Sequence, residues 1–544
     1  MKKYILLIVI AFNWFISAAQ YQFVKQWDKR YGGLLLDHFV CAQKTKDAGF
    51  ILAGYSESPS GGDKSQDNWS VNKHDFWLVK TDSAGYKEWD KKFGTVIPDY
   101  LRCLQQTDDE GFIFGGLSSG ISGDKTKPDK GGLDYWVVKI DKYGIKQWDN
   151  NIGGSCHDEL HSVLQAPDGG YILAGWSCSG ISGDKTEPNW DTTQHSQLFA
   201  DYWIVKLDSL GIKQWDKRYG GVESDVLQAI ECTNDKGYIL GGYSYSDIGG
   251  DKTQNPWSSN AEDYWIVKID SAGNKQWDKR FGGSWIDDLI CLRQTQDGGY
   301  ILGGFSGSPM DGDKSSNKPG YWLVKIDASG EKMWDKSFEP INEVYSLEQT
   351  TDGGYLLGGV VNGFGEGEDK TEPNLGWWQS WVVKVDSLGN KQWDKTIFTP
   401  MSGGCSAMQT PDGCYAVANG SFGLGGYKTE PSWADSIGDY WLIKFCMEKY
   451  NSIEPKTENL QPGQLQVWPN TFTSDITIAL TGEYVANANF TITNLMGQTV
   501  YEQKETNLAT GYTKMLDLSY LPNGVYFVAV STGDKTMVER VVKE

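Results

Sequence analysis

One motif recurs through most of this chain. An Asp, a Gly three residues on and a Trp four after that stand at Asp82/Gly85/Trp89, Asp141/Gly144/Trp148, Asp208/Gly211/Trp215, Asp270/Gly273/Trp277, Asp327/Gly330/Trp334 and Asp386/Gly389/Trp393. Around each, an aromatic and β-branched run such as Tyr264–Ile269 enters a turn (Asp270-Ser271-Ala272-Gly273), and a second run returns around the Trp. That is the grammar of a β-hairpin. The halves of a seventh hairpin lie apart: Val24–Tyr31 has only the returning strand, and Asp439–Phe445 only the outgoing one. A ring explains the split, because the first strand can complete the last repeat and remove an exposed sheet edge. The expectation is an all-β chain: a seven-bladed β-propeller over residues 20–446, closed by its N-terminal strand.

Each repeat reads as four strands in a meander. After the Trp strand come a Gly-Gly step and an acidic residue (Gly220-Gly221, Asp225), then an alternating strand with a polar turn, then a Gly-rich strand such as Gly237–Ser244, then a loop of roughly 15 to 30 residues. The strand after the Gly-Gly step is expected innermost and the Trp strand outermost. Both hairpin turns then share one short-turn face, and the long loops share the other with the Gly-Gly connections. Binding is expected on the elaborated face.

Two sets of residues on that face are candidates. The long loops repeat Gly-Asp-Lys-Thr or a variant, with a Trp six residues after the Asp at Asp63/Trp69, Asp184/Trp190 and Asp251/Trp257; Trp377, Trp378 and Trp433 occupy similar loops. A rim of these Trp residues would stack on sugar rings or grip a protein. The plainer role is local loop folding with the Trp packed over it. The second set is Asp37, Asp99, Asp158, Asp225 and Asp287, with Asn342 and Ser402 in the same register. As a ring at the mouth of a channel it would suit a cation such as calcium or a basic ligand; the plainer role is capping backbone N–H groups of the Gly-Gly connection.

The formal charge of −21 over 544 residues argues against nucleic acid and anionic lipid as partners. Nine cysteines are an odd number for an exported chain. Cys41, Cys103 and Cys291 share a register position with Ser162, Ala229, Ser346 and Ser406, which marks buried small side chains. Cys156 and Cys178 flank one hairpin and are placed to pair. His157-Asp158-Glu159-Leu160-His161 resembles a zinc-protease motif only loosely: the Glu is displaced and a strand, not a helix, is expected there. No nucleophile elbow or phosphate loop is present. No cofactor is expected beyond calcium.

The hairpin resembles the tryptophan-docking hairpin of quinoprotein-type propellers with a turn one residue shorter, and stands near the Asp box of sialidase-type propellers. Neither resemblance brings cofactor ligands or catalytic residues that can be matched here.

The ends address the chain. Lys2 and Lys3, the apolar stretch Tyr4–Ile16 and the small residues Ser17-Ala18-Ala19 read as a secretory signal over 1–19, cut between Ala19 and Gln20. The apolar run is too short to span a bilayer, and the mature protein is expected to have no transmembrane segment. Residues 447–464 are polar and Pro-containing, a linker; 465–544 read as a small β-sandwich. Val467-Trp468-Pro469-Asn470, Asn494-Leu495-Met496-Gly497-Gln498, Leu521-Pro522-Asn523-Gly524-Val525-Tyr526 and the closing Val541-Val542-Lys543-Glu544 closely resemble the type A C-terminal sorting domain of the Bacteroidetes type IX secretion system. The resemblance implies partnership with that machinery and its sorting peptidase, and a destination in the medium or on the outer surface of a Gram-negative cell. The expected function is binding of glycan or protein through the long-loop face. A carbohydrate-active hydrolase or lyase on the same scaffold, and a structural surface-layer protein, are the alternatives.

Overall fold

The computed structural model describes residues 21–190, 199–259, 261–339, 344–362, 369–372, 378–399, 401–433, 438–449, 464–468, 471–472, 474–481, 485–495, 497–508, 512–532 and 535–543. The expected signal with its cleavage site Ala19/Gln20, Trp377, Asn342 and most of the expected linker fall outside the described residues. Two compact units divide near residue 450.

The first unit is built of repeated four-stranded antiparallel sheets. Sheet one consists of Asp37–Lys44, Phe50–Ser56, Asp75–Thr81 and Lys87–Phe93. The first strands of the following sheets are Tyr100–Gln106, Asp158–Gln165, Asp225–Cys232, Asp287–Gln294, Val344–Gln349 and Met401–Gln409. In sheet seven the fourth strand is Tyr21–Tyr31, paired with Gly438–Lys449. That third strand runs past the expected boundary at 446, because Cys446 and Met447 pair with Val24 and Phe23. Each first strand packs across the preceding sheet, and that of sheet one packs on sheet seven.

The repeated letters hold the sheets by a repeated set of bonds. The Asp after each outer Trp is a hub. Asp278 accepts from the Thr253 N–H and the Trp265 indole N–H and pairs with Lys275 at 2.7 Å. Burial pushes the pKa of Asp278 up, and these partners outweigh it and leave it lowered. Asp28 does the same in sheet seven, accepting from Thr429 and Trp441 across 401 and 413 residues of chain. The outer Trp rings lie against the turn Gly of the next sheet, as Trp148 does at Gly211 and Trp215 at Gly273. A Cβ on Gly211 would fall 2.9 Å from Trp148. The buried third-strand Tyr residues span neighbouring sheets: Tyr202 donates to Trp265 O, and Tyr440 to Trp77 O.

Cys156–Cys178 and Cys414–Cys446 form disulfides, the second unforeseen from sequence. Cys41, Cys103, Cys232, Cys291 and Cys405 are free. Burial pushes Cys41, Cys291 and Cys405 up to about 12.

The second unit has a three-stranded sheet (Gln464–Trp468, Asp475–Thr481, Thr513–Asp517) and a five-stranded one (Thr471–Phe472, Val485–Asn494, Thr499–Leu508, Gly524–Thr532, Lys535–Lys543). Ile476, Ile478, Phe490, Ile492, Val528, Val530 and Val541 form its buried core. Lys543 Nζ donates to Leu518 O and Ser519 O, holding the last strand.

Candidate functional site

The five aspartates expected at a channel mouth expose almost no surface. Each is buried and folded into its own connection. The N–H of the residue four before it donates to Oδ2: Gly33 to Asp37, Thr95 to Asp99, Gly154 to Asp158, Gly221 to Asp225 and Gly283 to Asp287, at 2.6–2.7 Å. The hydroxyls of Ser58, Ser179, Ser246 and Ser308 donate to the same carboxylates in sheets one, three, four and five. In sheet two Gly120 stands in the serine's place, and Thr95 replaces the second Gly and supplies the hydroxyl instead. The second Gly is needed where the serine stands, since a Cβ on Gly33 would lie 2.5 Å from Ser58 Cβ.

A second carboxylate lies beside each, from the third strand of the preceding sheet: Asp439 by Asp37, Asp75 by Asp99, Asp134 by Asp158, Asp201 by Asp225 and Asp263 by Asp287. Burial, and then the like-charged neighbour, raise Asp263 to about 7; burial raises Asp37 and Asp99 to about 7 and Asp158, Asp225 and Asp287 to about 6. Where the first strand of sheet seven has Ser402, the neighbour in sheet six is Gln379, so both carboxylates are replaced by neutral groups. Among the described residues no group of three or more His, Cys, Asp or Glu is placed to hold a metal ion.

The rim tryptophans are likewise tied into the fold. Trp69 donates from Nε1 to Asp124, Trp190 to Asp251, Trp257 to Asp313 and Trp433 to Asp63, each reaching the Gly-Asp-Lys loop of the next sheet. Lys92, Arg218, Arg280 and Arg30 lie over these rings at 4.3–4.6 Å. In loops without this Trp a lysine reaches the same Asp: Lys130 bonds Asp184 and Lys318 bonds Asp369. Trp378 opens the third strand of sheet six, where its carbonyl accepts from Gln379 and Ser402. The four rim tryptophans thus bridge consecutive loops while staying 43–50% exposed. The loop lysines Lys64, Lys185, Lys252 and Lys314 are buried, and all but Lys185 donate to serine groups.

What varies from sheet to sheet among the described residues is a cross-strand pair at the long-loop end: the residue after the Asp37 register position and its partner on the second strand. These are His38/Tyr55, Tyr100/Leu117, Glu159/Trp176, Val226/Tyr243 and Asp288/Phe305, and in sheet seven Gly403/Gly420. Sheets three and four open there into a cavity of ≈ 810 Å³, lined by Glu159, His161, Trp176, Gln228, Tyr243 and Tyr245, with Glu223 and Asp247 from the connections. His161 Nδ1 is 2.9 Å from Gln228 Oε1, and Trp176 Nε1 donates to His161 Nε2 at 3.2 Å. Glu159 is 3.6 Å from His161 and 3.7 Å from Arg102. Burial pushes Glu159 up, but His161 and Arg102 more than reverse it and hold it below the usual range. Burial and Asp288 push the Tyr243 phenol up to about 12. The result is an aromatic-walled cavity edged by carboxylates. The zinc-motif residues His157–His161 include the start of the strand Asp158–Gln165, and His157 Nδ1 accepts from the Leu133 N–H.

Residues 466–544 match the family of the secretion system C-terminal sorting domain. The tail is a sorting domain, and it marks the chain for export by the type IX system. A stretch of 198 residues is 23% identical to the regulatory protein FlaEY of Caulobacter vibrioides, taking in 36% of this chain and 20% of that protein. Among solved structures the chain is similar to a streptogramin B lyase (10% identity, 78% of this chain and 98% of that one, TM-score 0.40). It is also similar to proteins of unknown function from Dyadobacter fermentans (10%, 78% and 99%, TM-score 0.36) and Bacteroides caccae (10%, 63% and 93%, TM-score 0.33). At such scores the architecture rests on the sheets and bonds described above.

Proposed function

We propose that this chain is an exported binding protein that holds a glycan in the aromatic cavity of sheets three and four. Its repeat unit is read as a seven-bladed propeller closed by the N-terminal strand; support comes from the bonds Asp28 makes with Thr429 and Trp441, which repeat those inside every other sheet. Export delivers it to the surface or the medium, through the sorting tail and its peptidase.

The carrying observation is the composition of the cavity. Tyr243 and Tyr245 offer apolar ring faces with the buried Trp176 behind them, and Glu159, Glu223 and Asp247 offer hydrogen-bond acceptors beside them. Sugar rings present both an apolar face and a belt of hydroxyl donors, and this pairing recognises them. A hydrolase or lyase is the second reading, favoured by three carboxylates in one cavity. Glu159 fits it as an ionised group rather than as a proton donor, because His161 and Arg102 keep it charged.

The test is binding of the purified protein to a panel of neutral polysaccharides, with and without calcium, with product release followed in the same wells. Tyr245→Ala and Glu159→Gln are expected to weaken binding at least tenfold, each removing one anchor. Binding unchanged in both variants sinks the cavity as the site. Released product lost in Glu159→Gln moves the hydrolase reading ahead.

A further inference from the structure

We infer that the glycan is an extended neutral chain, held at a second aromatic platform on sheets one and two as well as in the cavity of sheets three and four. This rests on the glycan reading above and adds a site to it. The second platform is built by His38 and Tyr55, the variable pair of sheet one, with Tyr100 of sheet two and His74 from the residue before the third strand of sheet one. The His38 and Tyr55 rings stack at 4.7 Å with 9° between their planes. Tyr55 meets Tyr100 edge-on at 5.2 Å and His74 at 5.2 Å, and His74 lies 5.3 Å from Tyr100. Glu57 stands 3.4 Å from His74 Nε2. His38 is exposed and Tyr55 and Tyr100 are half-buried, so the cluster is fixed by its own packing yet open to a ligand.

The fold does not require these rings. The same two positions carry Val226 and Tyr243 in sheet four, Leu117 opposite Tyr100 in sheet two, and glycines in sheet seven, while the framework around them repeats. A Cβ on Gly403 would meet nothing within 4 Å. The side chains therefore form a crescent over sheets one to five that sheet seven leaves bare.

The platform and the cavity are joined. Arg102, two residues beyond Tyr100 on the same strand, reaches to 3.7 Å from Glu159 at the cavity edge. A ligand lying along this line meets Tyr55 and Tyr100, then the Arg102–Glu159 pair, then Trp176 and Tyr243. Alternating aromatic faces and charged hydrogen-bonding groups match a linear sugar chain. Its neutrality follows from the formal charge of −21 and from the carboxylates at the cavity end, which oppose a polyanion.

The experiment is calorimetric titration of the full chain with ladders of neutral α- and β-linked gluco-oligosaccharides, from disaccharide to octasaccharide. Variants copy residues that other sheets already carry at these places: His38→Val, Tyr55→Leu and Tyr100→Val, singly and together. Affinity is expected to rise with chain length and then level off. The triple variant should lose about tenfold for the longest members, the loss one aromatic anchor carries, and nothing for the disaccharide. A disaccharide that binds as tightly as the octasaccharide overturns the inference and leaves the proposed function standing. A length dependence that survives the triple variant also overturns it, because the extension then runs elsewhere. Arg102→Ala, at an exposed position, repeats the test if the triple variant unfolds. If no ladder member binds, the glycan reading falls and the inference with it.

Discussion

The Asp28-type hub and the His38/Tyr55-type pair lie in the same sheets, yet one repeats and the other varies. Every sheet gives its hub carboxylate an indole N–H, a loop N–H and a lysine, in sheet seven through residues more than 400 positions apart. The variable pair is aromatic with histidine, aromatic with leucine, acidic with tryptophan, or two glycines. Repetition inside one chain thus separates what the architecture demands from what it tolerates. Positions fixed seven times over serve packing, and the position that varies within the same geometry is where a ligand can be specified.

The hardest blow to this contrast would be a closing sheet that does not behave as framework. Asp28→Ala strands Lys25 and two N–H donors in a buried setting and should cost roughly 3 kcal/mol, as Asp278→Ala should. Urea unfolding of both measures it. A much smaller cost at Asp28 would mean that the N-terminal strand is dispensable.

Gly33→Thr forces a side chain against Ser58 and should cost about 2 kcal/mol. Adding Ser58→Gly recreates the arrangement of Thr95 and Gly120 in sheet two, and most of the loss should return. Thermal melting of single and double variants decides it; no recovery would mean that the hydroxyl on Asp37 is not the shared requirement.

The paired carboxylates set a pH dependence. Their folded pKa values are raised, so the stability they contribute is present below the unfolded value near 4 and is lost as pH rises through 6 to 7. The hub aspartates run the other way, lowered and lost only in stronger acid. Lys64 and Lys314, lowered to about 8 by burial, relieve their strain only above that pH. Melting temperature is therefore expected to peak near pH 5 and fall by several degrees toward pH 8. Asp263→Asn with Asp287→Asn, imitating the neutral junction of Gln379 and Ser402, should flatten that fall. An unchanged slope would remove the pair as its cause.

Trp257→Ala should cost about 1 kcal/mol through the lost bond to Asp313 and the lost Arg280 contact, with oligosaccharide binding unchanged. Tyr245→Ala is the mirror case. It should cost no more than about 1 kcal/mol, through the lost Glu262 hydrogen bond and the Tyr243 ring contact, while weakening binding at least tenfold. Reversed outcomes would return the rim to the ligand.

Much of this was legible in the letters. The turn at Asp270–Gly273, the split hairpin of Val24–Tyr31 and Asp439–Phe445, and the capping role of Asp37 all follow from local chemistry. The inter-loop bonding of the rim was not legible, because Trp69 stands six residues from Asp63 in its own loop but bonds Asp124, in the next repeat. A motif read within one loop cannot show a bond between loops. The cavity has a signal in the letters: aligning the repeats on Asp37, Asp99, Asp158, Asp225 and Asp287 leaves His, Tyr, Glu, Val and Asp one residue on, a column without consensus beside one that is Asp in five repeats. The Cys414–Cys446 bond had no such signal, since neither residue has a counterpart in the other repeats.

The pairing of Tyr21–Tyr31 with Gly438–Lys449 also orders events in time. The strand made first finds its partner only after some 400 further residues exist. At ribosomal speeds of roughly 5 to 20 residues per second, that is a wait of about 20 to 80 s. Throughout it, a strand carrying Trp27 and Tyr31 has its backbone donors unclaimed and any neighbouring chain within reach. Until Gly438–Lys449 is made, that edge stays open to the wrong partner, an exposure the finished pairing no longer displays.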